Sequence, residues 1–353
     1  MDSNTPVPDG PLKIGIIGAG LNSDYHINFS RAYQGAQIVA IADSDPSRAQ
    51  AAAAKYGIPR ACASVAELLA ETNVQLVHVV TPPTTHFPIV REAIAAGRHV
   101  LVEKPLAPTV AEGRRLVDAA RERNLVLMCD HTYCYTPVVQ HIRRLAHGGD
   151  LGDLQYLDSV RINLGLVQPD VDVLWDLAPH DLSIIDHILP PGTEPVAVSA
   201  TGADPIGAGR SCVAYLSIPL SNGGIAHVHV NWLSPTKIRQ TIIGGSERML
   251  VWDDLNPTAR LQLFDKGVEV ATGVGEEERT QHLVSYRVGD MIAPALPERE
   301  ALGAVVDELV TAVREERPAL TSGDAGLRVL SILEAASTSL SEAGTLVPLE
   351  AQP

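Results

Sequence analysis

Apolar and polar positions alternate in blocks through the first third of the chain. LKIGIIGAG (12–20), AQIVAIAD (36–43), VQLVHVVT (74–81), HVLVEK (99–104) and LVLMCDH (125–131) are short, nearly continuous apolar runs, the pattern of strands buried on both faces. Amphipathic segments between them predict helices from about Ser23 to Tyr33 and over 46–57, 64–71, 86–97 and 109–124. Pro46 and Gly57 mark a start and a stop, Gly97 marks another stop, and Ser64 followed by Glu67 is a capping box. Strands alternating with helices predict a parallel sheet wound on both faces. Ligands bind such sheets at the carboxyl ends of the strands.

After about residue 150 the pattern changes. DLQYLDSVRINLG (153–165) predicts a strand and WDLAPHDLSIIDHIL (175–189) a helix. EPVAVSATGA, SCVAYLSIPL, GIAHVHVNWL, IRQTIIGGSERMLVWD and ARLQLFD then predict strands of an open, mostly antiparallel sheet, with SNGG (221–224) as a hairpin turn. Helices return at about 297–316 and 323–342 and are candidates to pack back on the first domain. The predicted fold class is α/β. A leader over 1–11 precedes an N-terminal Rossmann domain, a doubly wound parallel sheet over 12–131. An α/β domain for substrate binding and oligomerisation follows over 132–353.

A length of 353 residues suits two domains, and 45% apolar with 20% charged residues is a globular balance. The net charge of −15, with no basic cluster beyond doublets such as Arg114-Arg115, argues against a nucleic-acid partner. No run approaches the roughly 18 apolar residues of a membrane span, so no membrane partner is expected. The polar start MDSNTPVPDG reads as neither signal nor transit peptide. Cys62, Cys129, Cys134 and Cys212 lack CxxC or metal-finger spacing, so reduced thiols in the cytoplasm are expected. The histidines are scattered, and no metal is expected.

Gly18-Ala19-Gly20-Leu21-Asn22-Ser23 follows a strand and opens a helix, matching G-x-G-x-x-G except at its last position. Gly18 permits a tight turn, and Gly20 lets a pyrophosphate approach the backbone above a helix N-terminus. Asp43 ends the second strand, where a carboxylate accepts bonds from ribose hydroxyls and repels a 2′-phosphate. It thus favours NAD over NADP; the competing reading is a solvated turn aspartate. TPPTTHFP (81–88), with Thr81, Pro82 and His86, is a loop placed to lie along the cofactor, although His86 also reads simply as a helix-start residue. Glu103 and Lys104 put an adjacent carboxylate and ammonium at the mouth of a buried strand, facing a ligand.

Asp176 and His180 are spaced i, i+4, on one helix face if the helix begins close to Pro179. A hydride leaves a carbinol carbon only as the hydroxyl proton is removed, a task that suits histidine. Asp176 would orient that ring, and Lys104 would stabilise charge on the oxygen. The alternative for His180 is a structural histidine on a half-buried helix. Tyr133 and Tyr135 are candidates for the pocket wall. Arg161, Asn163 and Gln168 are candidates for contacts to a sugar or phosphate, or else strand-edge residues.

GIIGAGLNSDYH with His26, TPPTTHFP, EKPLA, WDLAPHDLSIID and ALTSGDAGLRVLSILEAASTSL together resemble the glucose–fructose oxidoreductase, inositol dehydrogenase and rhizopine-catabolism family (Gfo/Idh/MocA), over roughly residues 12 to 348. The resemblance implies a Rossmann domain followed by an α/β domain with an open sheet. It implies NAD(P)-dependent oxidation or reduction at a sugar or cyclitol carbon, with Lys104 as the EKP lysine and Asp176 and His180 as the aspartate and histidine acid/base. It also implies a homodimer or homotetramer. Ser23 in place of a third glycine or alanine, and Pro83-Thr84 where the family often has asparagine, depart from its pattern. SVRINLGLVQPDVDVLWDLAPHD is similar to members that oxidise the C3 hydroxyl of a UDP-hexose or UDP-hexuronate before amination. A cyclitol or aminoglycoside sugar is the alternative substrate. A non-catalytic NAD sensor is the reading from another class, and the complete Lys104, Asp176 and His180 set argues against it.

Overall fold

The computed structural model describes residues 10–20, 22–71, 73–270 and 284–350. Most of the expected leader and Leu21 lie outside them. The chain divides into two compact units, Met1–Thr136 with Arg299–Ser331, and Pro137–Glu298 with Ile332–Pro353. Each unit is therefore built from two separate stretches of sequence.

In the first unit, strands β1 (Leu12–Ile17), β2 (Ala36–Ala42), β3 (Arg60–Cys62), β4 (Leu76–Val79), β5 (His99–Glu103) and β6 (Leu127–Asp130) form one parallel sheet in the order 3-2-1-4-5-6. Helices α1 (Ser23–Ala32), α2 (Pro46–Tyr56), α3 (Val65–Ala70), α4 (His86–Ala95) and α5 (Val110–Glu122) connect the strands. β4 and β6 are buried along their whole length, as apolar runs covered on both faces must be. The predicted punctuation holds locally. Asp45 caps α2 ahead of Pro46, and Gly57 ends it at φ 65°. The Ser64 hydroxyl accepts the Glu67 N–H, while Glu67 Oε2 reaches the N–H of Ala63, one residue before the expected partner.

Sequence pattern alone left out β3, which is only three residues long. α8 (Ala301–Arg314), in a stretch the sequence offers as a candidate to pack back on the first domain, falls in this unit. Val305, Leu309 and Val313 on α8 share one core with Ile14, Ile16 and Ile27.

The second unit holds α6 (Pro137–His147), β7 (Leu154–Leu164), α7 (Val173–Ile188), β8 (Ala197–Ala203), β9 (Val213–Pro219), β10 (Ile225–Asn231), β11 (Leu233–Gly245), β12 (Met249–Asp253), β13 (Leu261–Val270), β14 (Val284–Ile292) and β15 (Val347–Pro348). The unit division falls within α9 (Gly323–Ser341). The strands form a nine-stranded sheet ordered 14-13-12-11-7-10-9-8-15. It is antiparallel apart from the β10–β7 pair, which is parallel, so the sheet is mixed. The segment read as one strand, IRQTIIGGSERMLVWD, is two, because the chain turns back after Gly245 and Gly244 pairs with Met249.

The start of α7 corrects the sequence reading. Asp172 caps the helix by accepting the Trp175 N–H at 3.0 Å, so Pro179 lies inside the helix instead of near its start. A proline there has no N–H for the carbonyl one turn back and costs about 3 kcal/mol. The buried face of Val173, Leu174, Ala178, Leu182 and Ile185 offsets that cost.

Candidate active site

The strand order of the first sheet reverses between β1 and β4, and the segments after β1, β4, β5 and β6 leave from that carboxyl edge. After β1, Gly18 turns at φ 107°, where a Cβ would collide with the Val80 carbonyl, so only glycine fits. Gly20 is glycine for another reason. A Cβ there meets nothing within 4 Å, so its backbone faces open space that a phosphate can enter. The Asn22 side chain makes no capping bond to α1, and the Ser23 and Tyr25 N–H groups bond the carbonyls of Gly20 and Asn22. Ser23 is 2% exposed and donates its hydroxyl back to the Gly20 carbonyl, so the departure from glycine closes the same turn. Asp43 Oδ2 accepts the Ala19 N–H at 2.7 Å, and Oδ1 accepts the Asp45 N–H at 2.8 Å. The carboxylate thus shapes the glycine loop and keeps further lone pairs for hydroxyls. These features fit a dinucleotide.

The end of β5 lies one strand further along the sheet, with β4 between it and that loop. Glu103 pairs in register with Asp130 of β6, so two carboxylates stand side by side. His26, on α1, enters between them. Its Nε2 is 2.8 Å from Glu103 Oε1 and 3.7 Å from Asp130 Oδ2. Burial opposes charge on His26, but the Glu103 hydrogen bond and the two carboxylate charges outweigh it and raise its pKa. Burial pushes Glu103 the other way, yet the bond to His26 and the charges of His26 and Lys104 bring its pKa down. Asp130 is lifted to about 6 by burial and by the charge of Glu103. The ligand atoms of the three lie within 4.8 Å of one another, but His26 Nε2 is already engaged with Glu103.

Glu103 Oε2 accepts the Lys104 N–H at 3.2 Å, and Lys104 itself is half-buried. On the other side, His86 is fully buried at the first position of α4. Its Nδ1 is 2.7 Å from the Pro105 carbonyl and its Nε2 is 2.9 Å from the Thr81 carbonyl. Burial lowers its pKa, and the two carbonyls work against that. Thr81 Oγ1 accepts a bond from Thr85, tightening the turn over Pro83–Thr85, whereas Pro82 is exposed.

In the second unit, Asp176 and His180 sit one turn apart on α7, both half-buried. Asp176 Oδ2 accepts the indole N–H of Trp232 at 3.0 Å, and Trp232 is 1% exposed. That indole, at the bend between β10 and β11, holds the carboxylate from far along the chain. Arg161 is 5% exposed and engages Asp181 through two bonds, at 2.7 and 3.2 Å, while Ser159 donates to the same carboxylate. Its guanidinium forms a buried ion pair between β7 and α7. Asn163 lies on β7 and Gln168 in the following loop, both half-buried.

Tyr133 is half-buried after β6, but Tyr135 belongs to the first unit's core, its hydroxyl 3.0 Å from Thr321 Oγ1. The sequence reading gave no role to Asp130 or Trp232 and none beyond motif membership to His26. Asp130 was findable, because LVLMCDH ends a buried strand in an acid as HVLVEK does. Trp232 carried no local signal.

Fold and site together define an NAD(P)-dependent oxidoreductase acting on CH–OH groups. A family model described as an oxidoreductase family with an NAD-binding Rossmann fold matches residues 12–131. The chain is 31% identical to a UDP-N-acetylglucosamine 3-dehydrogenase of Acidithiobacillus ferrooxidans, across 91% of this chain and 94% of that protein. It therefore belongs to the Gfo/Idh/MocA oxidoreductase family. The solved structure of UDP-N-acetylglucosamine 3-dehydrogenase GnnA from A. ferrooxidans is similar at TM-score 0.78 and 29% identity, over 94% of this chain and 98% of that one. GenD2 from gentamicin A biosynthesis, in complex with NAD, is similar at TM-score 0.79 and 25% identity, over 98% and 99%.

Proposed function

We propose that the chain is an NAD-dependent dehydrogenase that oxidises a secondary hydroxyl, at C3, of a nucleotide-linked hexose such as a UDP-sugar, in aminosugar or natural-product biosynthesis. The carrying observation is Lys104, set beside the strand-order reversal by Glu103, in a chain similar along nearly its whole length to a nucleotide-sugar 3-dehydrogenase. Gly18, Gly20, Ser23, Thr81 and Asp43 hold the cofactor, and Asp43 favours NAD over NADP. NAD, when bound, supplies the hydride acceptor. His180 takes the hydroxyl proton, Asp176 steadies the ring, and Lys104 supplies positive charge to the oxygen. The enzyme works in the cytoplasm as a homodimer or homotetramer. Among the described residues no helix is long and apolar enough to cross a membrane.

Similarity to GenD2 favours a second substrate reading, a sugar of the aminoglycoside type. Both are tested by following NADH formation over UDP-, GDP- and TDP-hexoses, free inositols and aminoglycosides. Lys104→Ala and His180→Ala should each lower turnover on the active sugar by about 100-fold or more while NAD still binds. Undiminished turnover in both variants refutes the assignment.

A further inference from the structure

Lys104 is bracketed by two buried histidines, each contacting its neighbour in the chain. His26 bonds Glu103, whose second oxygen accepts the Lys104 N–H. His86 contacts the carbonyl of Pro105. The two rings come from the helices that follow the two loops assigned to the cofactor: α1 opens after Gly18–Gly20, and α4 opens after the turn at Thr81, whose carbonyl is the second partner of His86. The loops also meet each other, since Gly18 packs on the Val80 carbonyl. The strand end carrying Lys104 and both cofactor loops thus share one buried frame of charged and ring hydrogen bonds. Such bonds are strong where water is excluded.

We propose that His26 and His86 are positioning residues that hold the backbone on either side of Lys104 against the two cofactor loops and so fix where the Lys104 side chain starts. Asp130 is part of the device. It supplies the second negative charge facing His26, and edge-on His78, 6.0 Å away, is the other ring against it. This rests on the dehydrogenase reading above.

The test measures kcat, sugar KM and NAD Kd for His26→Leu, His26→Gln and His86→Gln beside Lys104→Ala. His26→Leu should lower kcat by about 10- to 100-fold, the value of one charge-assisted bond, with NAD Kd and sugar KM within about threefold of the parent. His26→Gln keeps one N–H for Glu103 and should recover most of the loss. Should His26→Leu not fold, His86→Gln carries the comparison, because a glutamine amide cannot span the Thr81 and Pro105 carbonyls from opposite edges of a ring, and kcat alone should fall. Parental kcat in these variants overturns the coupling. So does a decline of kcat, KM and Kd in parallel that His26→Gln does not rescue. Full turnover in Lys104→Ala instead overturns the dehydrogenase reading beneath it.

Discussion

Asp43 shows how one carboxylate serves two ends. Its bonds to the Ala19 and Asp45 N–H groups fix the glycine loop, and its oxygens keep further acceptor capacity for the ribose hydroxyls of the proposed cofactor. Asp43→Ala should therefore weaken NAD binding by about 10- to 100-fold, the value of a charged hydrogen bond, and narrow the discrimination against NADP. Fluorescence titration with both nucleotides checks this; unchanged NAD affinity would contradict it. The residues of this end were legible because they adjoin one another in sequence or end strands. His26 was not assigned a role because its partner Glu103 is 77 positions away, and only the sheet brings the two together.

Between elements, the tie of β7 to α7 depends on the Arg161–Asp181 pair, buried at 5% and 3% exposure. Removing one partner strands a charge away from water. Asp181→Ala should cost about 3–5 kcal/mol, and Arg161→Met with Asp181→Leu should return most of it. Denaturant midpoints measure both, and an additive loss in the double variant would speak against the pair. The sequence left Arg161 between a ligand contact and a strand-edge place, because a strand arginine gives no sign of which partner the neighbouring helix offers. Elements were legible where burial and pattern agree. β14 was missed because Tyr286, Val288 and Ile292 are exposed, so its apolar positions do not follow an inward face. α6 did carry a readable signal, with Val138, Val139, Ile142 and Ala146 at helical spacing.

For the whole molecule, four histidines set the response to acid, His78 and His131 buried and His99 and His187 half-buried. Burial drives His78 and His187 to about 3, and His99 and His131 to about 4, from an ordinary 6.5. The unfolded chain takes up these protons and the folded chain does not, so unfolding binds protons below pH 6.5. Their contribution is whole above that pH and is lost as pH falls toward 4. Asp130 acts in the opposite sense. Its pKa is raised from 3.8 to about 6, so its stabilising contribution is present below 3.8 and lost as pH rises through 6. Four imidazoles outweigh Asp130 and His26, whose raised pKa values act the other way, and thermal midpoints should fall as pH is lowered from 6.5 to 4.5. Each net proton is worth about 1.4 kcal/mol per pH unit. A flat profile in that window would mean that these rings titrate normally.

The sequence by itself determined the alternation of buried strands and helices, the glycine turn, the acid ending β2 and the lysine ending β5. These depend on local burial, backbone freedom and charge, properties carried by neighbouring residues. Tertiary structure alone decided which residues of α8 enter the first core, that β10 runs parallel to β7, and that Trp232 holds Asp176 and His26 holds Glu103. Those contacts join residues far apart in the chain, and a hydrogen bond or packed face has no local signature until folding supplies its partner.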